Sequence, residues 1–406
     1  MQLSLYELSK IGFGCHHASA DQPGHAEALA YALEKGCNII DTSSNYQSGK
    51  AEILVGQVLK RVDRSKVFVM TKGGNVSDVN LPYLQGITTI AKEDIVKTAD
   101  NAFHCIDPAY LDVQMGVSRE RMQLDCIDGY FLHNPEYYLL NGSEPSQDGY
   151  YARLKRAFEY LEEQVAKGNI RYYGISESSG LTDIARLADV AAAVSSSHHF
   201  KLMQFPFNLV ENAGTDAQSV LGVAKAHGLT TFGNRPLTIR ENGKTYKLVK
   251  YTRRVSESAV LEAMDRAFGE IEQQMNRKQL QTALTDVFII KYLYLQWRNL
   301  DNDTFFSDLY DMYFMSFARD LFDQVIPSDA ATAFAEFKTC LKHYIQRKVY
   351  LASKAFMAER GFPNLFNSNA LTRNVCKRYL KDGIGHILLG MRHKAYVDDI
   401  AALLKS

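Results

Sequence analysis

No charge of one sign prevails in this 406-residue chain: 46 lysines and arginines are matched by 46 aspartates and glutamates, for a net charge of zero. A global field of the kind that draws a protein to nucleic acid or to an anionic membrane is therefore missing, and neither is expected as a partner. A cysteine framework is missing too. The six cysteines, Cys15, Cys37, Cys105, Cys126, Cys340 and Cys376, are scattered without a C-x-x-C pair. That pattern fits reduced thiols better than a disulfide frame or a zinc site. The histidine pairs His16–His17 and His198–His199 have no carboxylate at metal spacing, so no metal is expected. Long apolar runs are also absent. The most apolar stretch, VFIIKYLYLQW, is short and contains Lys291, so it reads as a buried helix and not a bilayer span. MQLSLYELSK places Glu7 and Lys10 where a signal peptide needs an unbroken apolar core. The expectation is a soluble, cytoplasmic protein.

Short apolar runs are present in number. IGFG, NII, VFVM, IDGYFL, IRYYGI, LMQFPF, LTTFG and HILLGM read as eight buried strands. Amphipathic helical patterns separate most of them: HAEALAYALEKG closes on Gly36 in a C-cap position, and AEILVGQVLKR, YYARLKRAFEYLEEQVAKG, LTDIARLADVAAAV, SVLGVAKAHG and LTRNVCKRYLKDG follow. Continuous apolar strands alternating with such helices imply a parallel sheet covered by helices. Eight units make a closed (β/α)8 TIM barrel the leading architecture. The competing open sheet would bind a dinucleotide through G-x-G-x-x-G, and here His17 stands where the third glycine belongs. The alternation breaks from about residue 241 to 363, which reads as an all-α insertion between the seventh strand and the last helix and strand. Within it Leu261, Met264, Phe268, Ile271 and Met275 form a seam at spacings of three and four. The expected domains are residues 1–240 with 364–406 as the barrel and 241–363 as the insertion; without the insertion the barrel is close to the ~250 residues typical of the fold.

In a (β/α)8 barrel the loops after the strands form the active-site face. The second strand ends in Asp41, the third in Lys72 and the fourth in His133, and Tyr46 follows Asp41 in its loop. A lysine ammonium beside a phenol favours the phenolate and lowers the tyrosine pKa, an aspartate keeps that lysine charged, and a histidine can hydrogen-bond the incoming oxygen. Such a general acid suits a carbonyl whose oxygen gains negative charge as hydride arrives at carbon from a nicotinamide.

The order D-T-x-x-x-Y, then E-x-x-x-G (Glu52, Gly56), T-K (Thr71, Lys72) and L-H-N-P (Leu132 to Pro135) resembles the aldo-keto reductase family. GNIRYYGISE, LMQFPFN, NRPL and GMRHKAYVDD resemble its later motifs, so that the likeness covers roughly residues 8–240 and 366–405. The resemblance implies Tyr46 as general acid, Lys72 and Asp41 tuning it, and His133 orienting the carbonyl. It implies Ser176 and Gln204 at the nicotinamide carboxamide, Arg235 and Leu237 along the pyrophosphate, and the segment of Gly390 and Arg392 at the adenosine 2′-phosphate. The last favours NADPH (NADP) over NAD. Two positions depart from the family pattern: Gln47 replaces the usual glycine and Glu177 the usual asparagine. Phe232 and Asn234 both stand near the place where many members stack an aromatic on the nicotinamide, and His16, after the first strand, is a further candidate to line the pocket.

The implied activity interconverts a carbonyl (aldehyde, ketone or sugar) and an alcohol, with a small polar substrate. The alternative is a non-catalytic, cofactor-binding regulatory or scaffold protein whose helical insertion binds a partner. The insertion itself reads as a lid or pocket wall, as an oligomerisation surface, or as a docking module, the first being favoured. The basic run Lys244, Lys247, Lys250, Arg253, Arg254 reads as a solvated linker.

Overall fold

The computed structural model describes residues 3–178, 183–211 and 219–404. Eight parallel strands close into a barrel: β1 (Ile11–Gly14), β2 (Ile39–Asp41), β3 (Phe68–Gly73), β4 (Ile127–His133), β5 (Ile170–Ser176), β6 (Phe200–Pro206), β7 (Thr230–Asn234) and β8 (His386–Leu389). Each pairs with its neighbours in sequence, and β1 joins β8 through Ile11↔Ile387 and Phe13↔Leu389. All eight apolar runs of the sequence are these strands. The helices after them are α1 (Pro23–Glu34), α2 (Lys50–Leu59), α3 (Pro108–Met122), α4 (Gln147–Ala166), α5 (Ile184–Val194), α6 (Val220–Ala226), α7 (Leu371–Lys381) and α8 (Lys394–Leu404). Their ends follow local rules. Asp107, Ser146, Asp183 and Ser219 cap α3 to α6 by accepting from backbone amides of the first turn. Gly36 takes φ 103° after α1.

Helix α3 is not among the sequence-predicted elements. Its stripe is poorly separated: Gln114 and Ser118 are buried on the same helix as Tyr110, Leu111 and Met115, so an apolar template misses it. The excursion from β3 to α3 also contains a three-stranded antiparallel sheet of Asn75–Val76, Val96–Ala99 and Ala102–His104.

Pleating explains the barrel interior. Side chains two apart share a face, so Ile39 and Asp41, Met70 and Lys72, Phe131 and His133, Leu202 and Gln204, and Phe232 and Asn234 form inward pairs. The lower members, with Phe68 and Leu388, make one buried apolar cluster. The upper members are the polar residues at the carboxyl ends.

By contacts the chain divides into two compact units, Met1–Pro236 with Thr372–Ser406, and Leu237–Leu371. The second opens with an antiparallel hairpin, Thr238–Glu241 and Lys244–Lys247, turned at Asn242 (φ 50°) and Gly243 (φ 72°). The basic run is thus not a linker at its start: Lys244 and Lys247 lie in a strand, and Lys247 pairs with Asp303 at 2.5 Å. Helices follow, the longest being Glu257–Arg277 and Ser328–Glu359. Met264, Phe268, Ile271 and Met275 face a shared core with Phe314 and Phe337, and Leu261 packs at its edge. The stretch Val287–Trp297 is only half buried, because Ile289, Ile290, Leu293 and Trp297 face that core while Phe288, Tyr294 and Leu295 are exposed.

Candidate active site

Lys72 sits at the centre of the site. It is fully buried at the end of β3, and its Nζ donates to Asp41 Oδ1 at 2.7 Å, to the Thr42 carbonyl at 2.8 Å and to the Tyr46 hydroxyl at 3.3 Å. Burial pulls the lysine pKa down, but the Asp41 carboxylate and then Tyr46 outweigh it, and the net shift is upward. The lysine is therefore charged at neutral pH.

Tyr46 comes from a loop, not a strand. It opens a 3-10 turn, Tyr46–Gly49, in which Gln47 and Ser48 take left-handed φ values of 51° and 53°. Arg121 of α3 pins this loop by donating to the Ser44 carbonyl (3.0 Å), to Glu52 Oε2 (3.1 Å) and to Asn80 Oδ1 (3.4 Å). Gly49 (φ 85°) lets it approach: a Cβ there would lie 2.6 Å from the guanidinium carbon. Glu52 in turn accepts from Thr71 Oγ1 at 2.6 Å. The Tyr46 pKa is raised, first by burial and with Asp41 adding to it, while the Lys72 charge pulls the other way. This corrects the sequence-based expectation of a net lowering: Lys72 acts in the expected sense, but desolvation wins in the resting site.

His133 ends β4, with its ring centroid 6.0 Å from that of Tyr46. Its Nδ1 lies 2.9 Å from Asn75 Nδ2 and 3.1 Å from Ser43 Oγ. Burial, then the charges of Lys72, His104 and His16, hold its pKa well below the usual imidazole value, so it is neutral. His16 does reach the site, its ring 4.8 Å from Tyr46 in a T-shaped contact.

Ser176 and Gln204 extend the same polar layer. Gln204 Nε2 donates to Asp41 Oδ1 (2.8 Å), and its Oε1 accepts from Ser176 Oγ (2.9 Å) and Asn234 Nδ2 (3.2 Å). Gln204 thereby also struts Asp41. Of the two residues considered near the seventh strand end, Phe232 is fully buried in the apolar layer, against Phe131 and His386. Asn234 stands above it at the mouth. Among the described residues its buried Oδ1 has no hydrogen-bond partner.

The remaining predicted residues are not drawn into this cluster. Arg235 pairs with Glu211 at 3.1 Å and takes φ 50°. Leu237 begins the second unit, where its carbonyl accepts from Leu248. Gly390 is exposed after β8, with open space where a Cβ would stand. Arg392 is partly buried, and after burial itself its charge is the next influence lowering the pKa of His25, followed by that of His393. Residues Asn75, His104, Gln114 and Arg121 support the site without any motif to announce them, since each comes from the excursion after β3 or from α3.

A family model described as the Aldo/keto reductase family matches residues 10–280. The chain belongs to the aldo-keto reductase family. The aldo-keto reductase yakc, marked NADP(+), of Schizosaccharomyces pombe is 27% identical over 205 residues, covering 49% of this chain and 50% of that protein. A probable aldo-keto reductase of Glycine max is 25% identical over 180 residues, 43% of each chain. The chain thus spans about half the length of the curated relatives it matches. Among solved structures, the glycerol dehydrogenase of Gluconobacter oxydans aligns at 16% identity and a TM-score of 0.48, over 98% of this chain and 86% of that one. An aldo-keto reductase from Bacillus halodurans aligns at 20% identity and a TM-score of 0.42, over 66% of this chain and 77% of that one. Among the described residues no helix is long and apolar enough to cross a membrane.

Proposed function

We propose that this aldo-keto reductase is an oxidoreductase that interconverts the carbonyl of a small aldehyde, ketone or sugar-like molecule and the corresponding alcohol, using NADP(H) in preference to NAD(H). The observation that carries the reading is the Lys72 ammonium, buried and bonded to both Asp41 and the Tyr46 hydroxyl. The raised Tyr46 pKa keeps the phenol protonated at rest, as an acid must be before it gives its proton up. When the proton passes from the phenol to the substrate oxygen, the tyrosinate left behind faces a cation 3.3 Å away. Asp41 holds that cation in place and in charge. His133, neutral and buried, orients the oxygen by hydrogen bonding. A pure scaffold has no need of this arrangement.

The residues present fit a nicotinamide cofactor, which when bound supplies or accepts the hydride. Among the described residues, Gln204 keeps one amide N–H uncommitted, Ser176 Oγ keeps acceptor lone pairs, and Asn234 offers an unpaired Oδ1; together they match the acceptor and donor ends of a carboxamide. Arg392, near His25 and His393, supports the NADP preference because a guanidinium suits a phosphate. The test follows nicotinamide absorbance across glyceraldehyde, benzaldehyde, methylglyoxal and an aldohexose. Tyr46→Phe is expected to lose roughly 10²–10⁴ in kcat, the usual worth of a general acid, while retaining NADPH binding by fluorescence. Full turnover in that variant would remove the assignment.

A further inference from the structure

We propose that Asn75 is a positioning residue that fixes the tautomer of His133, so that the imidazole presents Nε2–H to the substrate oxygen. The inference rests on the reading of His133 as the group that orients that oxygen.

A neutral imidazole carries one proton, and which nitrogen holds it decides whether the other edge can donate. Among the described residues, two groups lie within hydrogen-bond distance of His133 Nδ1, Asn75 Nδ2 at 2.9 Å and Ser43 Oγ at 3.1 Å. The serine hydroxyl can serve either way, giving its one proton to Asn45 Oδ1 at 2.7 Å and accepting from Nδ1, or giving that proton to Nδ1, so it dictates no tautomer. The amide nitrogen can only donate. It makes Nδ1 an acceptor and sends the ring proton to Nε2.

Asn75 and a second residue that touches His133, His104, both belong to the short sheet between β3 and α3. Asn75 is the register partner of His104. Gln114 grips the same strand, accepting from Gly74 N at 2.7 Å and donating to the Asn75 carbonyl at 3.1 Å. His104 Nε2 lies 2.8 Å from the His133 carbonyl, and since a carbonyl only accepts, His104 donates there. Its buried Nδ1 has no partner among the described residues, which agrees with a neutral ring whose single proton is spent on that bond. The excursion thus clamps His133 at its backbone through His104 and at its ring through Asn75, and the 75↔104 pairing ties the two clamps together. The titratable groups acting on the ring are Lys72, His104 and His16. None of them is the donor to Nδ1.

The experiment is long-range ¹H–¹⁵N NMR on protein labelled at histidine nitrogen, with His133 assigned by its loss in His133→Gln. The wild type at neutral pH is expected to show the Nε2–H pattern for His133. Asn75→Asp replaces the donor by an acceptor of the same shape, so the proton should move to Nδ1. On the fastest aldehyde of the panel kcat should then fall at least tenfold while NADPH affinity holds. An Nδ1–H pattern in the wild type overturns the proposal without any variant, and so does an Asn75→Asp protein that keeps the Nε2–H pattern and full kcat. Full turnover in His133→Gln would instead overturn the role given to His133 itself, a result distinct from either.

Discussion

The buried pair Asp41–Lys72 can be tested apart from any substrate, because both groups are nearly or fully removed from solvent and their coupling must appear in stability. At the observed 2.7 Å and an effective dielectric constant near 20, the Coulomb attraction is about 6 kcal/mol before desolvation is subtracted. Lys72→Met would leave the Asp41 carboxylate with the Gln204 amide as its remaining donor, and breaking a buried pair in this way costs about 3–5 kcal/mol. Asp41→Asn leaves the ammonium its Thr42 and Tyr46 contacts, so it should cost less. In the double variant no charge is stranded, and the amide that replaces the carboxylate can still accept from Gln204. The coupling energy from the cycle is then about 2–3 kcal/mol, at the upper end for neighbouring groups. Urea unfolding should be followed by circular dichroism. The single tryptophan, Trp297, lies in the second unit, so its fluorescence reports on that unit and not on the barrel. A coupling below about 0.5 kcal/mol would refute the reasoning, since independent sites show no more.

Other consequences are as open to measurement. A Cβ at Gly174, inside β5 where the register to β6 shifts, would lie 1.9 Å from the Leu202 carbonyl oxygen; Gly174→Ala should destabilise the barrel by at least about 2 kcal/mol in urea unfolding. Burial pushes His104 and His386 down to about 4. Unfolding therefore takes up protons below the ordinary histidine value of 6.5, and stability should fall as pH drops from 6.5 towards 4, by about 3 kcal/mol for each; a urea midpoint unchanged across that window would contradict it. Arg392→Ala should weaken NADPH binding by about 1.5–3 kcal/mol, the worth of a hydrogen bond to a charged group, and leave NADH affinity in place. Fluorescence titration with the two nucleotides separates the cases.

Much of the site was legible because strand ends are legible. Asp41, Lys72 and His133 each close an apolar run, and the pleat sends them inward above Ile39, Met70 and Phe131. Asn234 and Phe232 could not be separated in the sequence, since two residues apart they share a face and only depth distinguishes them. The sign of the Tyr46 shift was not legible either. It depends on how far burial exceeds the pull of Lys72, a balance set by packing. Asn242-Gly243 is a strong hairpin signal, obscured by the lysines around it, whose charge suggested a linker. The sheet that holds Asn75 and His104 left no pattern, because its strands, NV, VKTA and AFH, contain no apolar run longer than two residues.

The division between strand and loop also bears on how the site is built. Three of its four principal groups are fixed by the barrel, but Tyr46 reaches its place through a turn with two left-handed non-glycine residues, each a conformation that costs of order 1–3 kcal/mol. Such a turn persists only if its surroundings over-determine it. Here the Arg121 guanidinium occupies the space beside Gly49 and ties the Ser44 carbonyl to Glu52, which is itself bonded to Thr71, the residue before Lys72. The E-x-x-x-G and T-K motifs are thus physically one device. Glu52 and Thr71 link the loop that carries the phenol to the strand that carries the ammonium, so the spacing between phenol and ammonium is set by a buried ion pair lying behind them and does not depend on the loop's own preferences.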